Sequence, residues 1–102
     1  MSDPPAQASR DVKVVVREGL HARPVMRFVD YASRYQSKIT VENITRRGER
    51  VDGKSAMQMM LLEATSGNVL RITACGDDAQ QAVDALVDLV ESGFDLDGGS
   101  GN

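Results

Sequence analysis

The chain has 102 residues, 41% of them hydrophobic and 26% charged, with a net charge of −3, which is ordinary globular usage with room for one small domain and one core. The acidic balance excludes the overall basic field that nucleic-acid binding needs, and no apolar run is long enough to cross a bilayer. A single cysteine, Cys75, and a single histidine, His21, leave no intramolecular disulfide and no transition-metal cluster; with no export signal at the N-terminus, the expectation is a cytoplasmic protein without metal or other cofactor.

Residues 1–9, with Pro4-Pro5 and no apolar periodicity, are expected to be a disordered leader, 10–94 a single domain, and 95–102, with Gly98-Gly99-Ser100-Gly101, a flexible acidic tail. From Asp11 to Arg17, Val12, Val14 and Val16 alternate with Lys13, Val15 and Arg17, the two-residue period of a strand with one face on a core. Gly19 breaks the strand. Pro24 suits the first turn of a helix, and Val25, Phe28, Val29 and Ala32 follow at the i, i+3, i+4, i+7 spacing of a buried stripe, so the spacing predicts a helix from Ala22 to Tyr35.

Lys38 to Asn43 places Ile39 and Val41 on one face, and Gly48 lets the chain return through Glu49 to Asp52 as a hairpin. Its basic residues, Arg46, Arg47 and Arg50, are read as a solvated turn, because the global charge opposes a nucleic-acid contact. Ser55 and Gln58 form a capping-box pair at the start of a short helix. After a turn at Gly67-Asn68, Val69 to Cys75 is a fourth strand with Leu70, Ile72 and Ala74 inward and Arg71 and Thr73 outward. A last helix is expected from Asp77, capped by Asp77 and Gln80, carrying Ala79, Val83, Leu86 and Val90 as its stripe and ending at Gly93. Alternating strands and one-sided helices in the order βαββαβα predict an α+β fold, an antiparallel sheet with its helices stacked on one face.

His21 lies where the first strand gives way to the first helix. The unpaired N–H groups of Ala22 and Arg23 and the positive end of the helix dipole favour an anion there, and Arg23 adds a planar fork suited to phosphate oxygens. A neutral imidazole is nucleophilic near pH 7, and a phosphoryl group on its nitrogen stays reactive enough to be passed on. The same position also suits a helix cap or an ordinary surface histidine, so local physics permits the site without deciding for it.

The run Gly19-Leu20-His21-Ala22-Arg23-Pro24, followed by Gly53-Lys54-Ser55-Ala56-Met57-Gln58-Met59-Met60, resembles HPr, the histidine-containing phosphocarrier of the bacterial sugar phosphotransferase system, over about residues 11–92. That resemblance implies an open-faced sandwich of four antiparallel strands under three helices. It implies that His21 takes a phosphoryl group on Nδ1 from phosphorylated enzyme I and hands it to an IIA protein or domain, with Arg23 and the N–H groups of Ala22 and Arg23 holding the oxygens. By the same resemblance Ser55 matches a regulatory serine phosphorylated by an HPr kinase/phosphorylase and read by a transcriptional regulator, although Ser55 already explains itself as a helix cap.

Met26, Arg27, Ala56, Met57 and Met60 would form the partner surface of a monomer, and Met59 would belong to the core. Four features depart from the family pattern: Glu18 before Gly19, Val25 in place of a frequent alanine, a longer hairpin around Arg46 and Arg47, and the acidic tail. Glu18 is expected to set a carboxylate near the phosphoryl group. A regulatory paralogue, of the nitrogen-branch or catabolite-control type, is the alternative to a transport carrier.

Overall fold

The computed structural model describes residues 6–95. Its elements run β1 (Gln7–Lys13), α1 (Ala22–Ala32), β2 (Lys38–Asn43), β3 (Val51–Asp52), α2 (Ala56–Met60), β4 (Val69–Cys75) and α3 (Ala79–Glu91). The strands form one sheet in the order β1-β4-β2-β3, and each neighbouring pair is antiparallel. The α+β antiparallel sheet with helices on one face expected from the pattern, and the open-faced sandwich implied by the resemblance, are the fold observed.

The two-residue period sorts the sheet into a dry and a wet face. Val12, Ile39, Val41, Leu70, Ile72 and Ala74 are buried and join Phe28, Met59, Val83, Leu86 and Val90 from the helices in one core. Outward, cross-strand rows carry Gln7, Cys75 and Lys38, then Ser9, Thr73 and Thr40, then Asp11, Arg71 and Glu42. Arg71 grips Asp11 with two parallel bonds of 2.8 and 3.1 Å, and this hydrogen-bonded guanidinium holds the Asp11 carboxyl below the usual carboxylate range.

The first strand lies four residues earlier than its valine pattern predicts: it begins at Gln7, inside the expected leader, and ends at Lys13. Val14 is fully buried, but its N–H donates to Asn68 O and its carbonyl accepts from Gly67, both at 2.8 Å. Apolar alternation therefore continues past the ladder, because the core continues under the turn that precedes β4. Residues 1–5 of the expected leader and 96–102 of the expected tail lie outside the described residues.

Helix α1 stops at Ala32, short of Tyr35. Arg34 and Tyr35 bond three residues back, to Tyr31 and Ala32, the tightening common at a helix end. The N-cap of α3 is Asp78, not Asp77, and Asp78 makes no side-chain cap bond. Its carboxylate instead accepts the amides of Gln36 and Ser37 at 2.8 and 2.9 Å and the Ser37 hydroxyl, tying the start of α3 to the turn after α1. Gln80 donates to Asp84 and does not complete a box.

Candidate functional site

His21 is the N-cap of α1, with extended backbone (φ −117°, ψ −168°) and a side chain that makes no capping bond. Its carbonyl closes the first helical turn by accepting from Val25 N at 3.0 Å, and Pro24 and Val25 are buried beneath it. The ring is thereby left exposed at the end of an anchored helix. Among the described residues the N–H groups of Ala22 and Arg23 meet no acceptor, so both remain available to an anion at the helix start.

The approach to His21 is fixed by Gly19. Its φ is +75°, and a Cβ there would stand 2.6 Å from Ala64 O and 2.9 Å from the Thr65 Cα, so both the conformation and the space demand glycine. Leu20 N donates to the same Ala64 oxygen at 2.9 Å. The loop is thus pinned on the segment that follows α2.

Beside His21 lies an open cleft of about 300 Å³. Arg23, Pro24 and Arg27 of α1 line it with the histidine, and Gly93, Phe94 and Asp95, just past α3, line the remainder. Gly93 and Phe94 both have positive φ, +72° and +66°, and the Phe94 N–H returns to Leu89 O at 2.7 Å. That left-handed pair turns the chain at the end of α3 so that buried Phe94 and exposed Asp95 reach the cleft. Sequence reasoning missed these residues. It found the helix stop at Gly93, but nothing in the local pattern says that this stop lines a cleft with His21. Glu18 is exposed and does not line this cleft; among the described residues the carboxylate that lines it is Asp95.

Helix α1 also packs against α2. Ala22, Val25, Met26, Ala56, Met57 and Met60 line an apolar groove of about 280 Å³ between them. Met57 is 81% exposed, Leu61 69% and Met26 54%, a cluster of large apolar side chains of the kind that marks a binding surface. Four of the five expected interface residues meet in this groove. The fifth, Arg27, faces the histidine cleft instead. Met59 is fully buried, as expected.

Ser55 is the N-cap of α2, and its Oγ accepts from Gln58 N at 3.2 Å. Only half of the capping box forms: the Gln58 side chain accepts from Asp52 N at 2.9 Å, while Ser55 N donates to Asp52 O. The tight β3–α2 connection draws Gln58 to the strand end. Gly53 and Lys54 fix that connection, since a Cβ on Gly53 would meet Ile39 Cγ2 at 2.8 Å and Lys54 Nζ donates to Tyr35 O at 2.6 Å.

The family described as PTS HPr component phosphorylation site matches residues 8–92. The chain belongs to the HPr family. Among HPr-family relatives, it is 42% identical to the phosphocarrier protein HPr of Haemophilus influenzae, over 80% of this chain and 93% of that one. It is 38% identical to the phosphocarrier protein NPr of Proteus mirabilis, over 86% and 96%. It also matches the multiphosphoryl transfer protein of H. influenzae at 39% identity over 88% of its own length, but spans only 18% of that longer relative.

Among solved structures, HPr-C-His of Thermoanaerobacter tengcongensis superposes with a TM-score of 0.79 at 41% identity, covering 85% of this chain and 94% of that one. The catabolite repression protein Crh of Bacillus subtilis gives 0.67 at 34% identity, over 80% and 91%. The chain is therefore a phosphocarrier-family protein of the phosphotransferase system. Among the described residues no helix is long and apolar enough to cross a membrane.

Proposed function

We propose that this chain accepts a phosphoryl group on His21 from phosphorylated enzyme I and passes it to IIA proteins or domains of sugar permeases, acting as a cytoplasmic monomer. One observation carries the reading: the exposed imidazole shares its helix start with two amides that lack acceptors and shares its cleft with Arg23. An imidazole nitrogen attacks the donor's phosphorus, the N–P bond forms as the donor's bond breaks, and the amides with Arg23 hold the oxygens through the transfer. The carrier contributes a nucleophile and a clamp, and its partner contributes the rest of the site.

Docking is assigned to the apolar groove of Met26, Ala56, Met57 and Met60, adjacent to the cleft because Ala22 lines the groove and His21 the cleft. Ser55, next to Ala56, is the regulatory position: phosphorylated by an HPr kinase/phosphorylase, it would add between one and two negative charges, roughly, at the edge of that groove and create a form that a transcriptional regulator reads. Repulsion at the docking face, not refolding, is the effect, since a phosphate sits comfortably on a helix start.

Incubation with enzyme I and phosphoenolpyruvate tests the carrier reading. One acid-labile, base-stable phosphate per chain is expected, absent from His21→Ala; no label on the native chain ends the proposal. A second reading, a regulatory paralogue working through phosphorylation-dependent binding, is favoured by the similarity to NPr and to Crh. Transfer from His21 to the IIA component of a sugar permease separates the two, because the regulatory form would not deliver its phosphoryl group to a permease.

A further inference from the structure

Arg23 and Arg27 stand four residues apart on α1, the spacing that brings two side chains over one another on a helix face. Both line the His21 cleft. Arg10, Arg46, Arg50 and Arg71 are each ion-paired, with Asp84, Glu63, Glu42 and Asp11. The two cleft arginines have neither an ion pair nor a hydrogen bond among the described residues. Arg27 is half-buried, whereas Arg23 is exposed, so its charge is the less screened of the two. Among the described residues Asp95 is the only acidic one that lines the cleft, so two guanidiniums there face one carboxylate beside the nucleophile.

A phosphoryl dianion presents three oxygens, more than one guanidinium fork can engage. We infer that Arg27 is a second phosphoryl-binding cation, which engages the oxygens left free by Arg23 and the helix amides and offsets the repulsion from Asp95. This inference rests on the reading of His21 as the phosphoryl acceptor. It gives Arg27 a role at the reacting group rather than on the docking surface, and it makes phosphohistidine in this chain more strongly held as the dianion than Arg23 alone would allow.

The full chain phosphorylated with phosphoramidate provides the test without any partner protein. The reagent's P–N bond breaks, the N–P bond to the imidazole forms, and ammonia leaves with the imidazole proton. Phosphorus NMR then follows the second ionisation of the phosphoryl group against pH. Arg27→Ala is expected to weaken that ionisation roughly threefold, the scale of a partly exposed charge pair, while Arg27→Lys restores most of it. Arg47→Ala, which removes a charge from the β2–β3 turn, leaves it unchanged. A native titration curve in Arg27→Ala, or an equal shift in Arg47→Ala, overturns the inference. If the native chain gains no phosphohistidine, the carrier reading falls and takes this inference with it; if it does and Arg27→Ala titrates like the native chain, only the inference falls.

Discussion

Gly19 lies so close to Ala64 that the oxygen of Ala64 both accepts from Leu20 N at 2.9 Å and occupies the space a Cβ on residue 19 would need. The contact joins the loop that delivers His21 to the segment after α2, so backbone placement near the nucleophile depends on a residue with no side chain.

Gly19→Ala is therefore expected to cost about 2 kcal/mol or more, from a left-handed conformation and an enforced backbone shift together, and to slow labelling of His21. Gly67→Ala is the comparison: its φ is also positive, +92°, but a Cβ there meets nothing within 4 Å. Denaturant unfolding of both variants should rank Gly19→Ala as the more damaged; equal midpoints would show that the approach to Ala64 imposes nothing.

Ser55 can be divided into its two roles by substitution. Ser55→Ala removes the bond to Gln58 N and is expected to lower stability by about 1 kcal/mol. Ser55→Asp keeps a capping oxygen, so thermal unfolding should stay close to native while transfer from a phosphorylated donor slows. Native transfer rates in Ser55→Asp would separate this position from the docking face.

Met57 and Met59, two residues apart on α2, face opposite environments, one 81% exposed and one fully buried. Met57→Glu should change stability by less than about 0.5 kcal/mol yet weaken partner docking by roughly tenfold, the scale of losing an interface anchor. Met59→Ala should do the reverse, costing about 2 to 5 kcal/mol while the folded fraction docks normally. Paired unfolding and titration experiments read both; undiminished docking by Met57→Glu would move the partner surface elsewhere.

Asp78 makes stability depend on acid. The Ser37 hydroxyl, then the Gln36 and Ser37 amides, stabilise its charged form and hold its carboxyl below the ordinary value of 3.8. A carboxylate depressed in the folded state binds fewer protons there than in the unfolded chain, so its contribution is complete above the ordinary value and is lost as pH falls through the folded value. Asp78→Asn should therefore be less stable than the native chain at neutral pH, with the difference shrinking on acidification. A gap that stays constant across that acid range would remove Asp78 from the titration.

Periodicity located the strands and the two longer helices, because burial against one core writes alternation into a strand and a stripe into a helix, while the short α2 was located by its Ser55 and Gln58 capping pair. Val69–Cys75 emerged with its observed ends, and the valines of β1 fell four residues out of place because alternation reports burial, not hydrogen bonding. The buried Asn43 had no sequence signal: its amide donates to Leu62 O and Asn68 Oδ1 and accepts from Arg46 N, partners far apart along the chain or in a turn.

The sequence alone determined which groups the candidate site offers: a histidine at a helix start, a guanidinium two residues on, a glycine and a proline that shape the turn. Those are local facts, decided by backbone conformation and unpaired amides within a few residues. Tertiary structure alone decided what surrounds them. Asp95 and Phe94 line one cleft with His21, and Arg27 faces that cleft rather than the methionine groove, because the end of α3 is set by the whole core and no local pattern encodes where two distant helix ends converge.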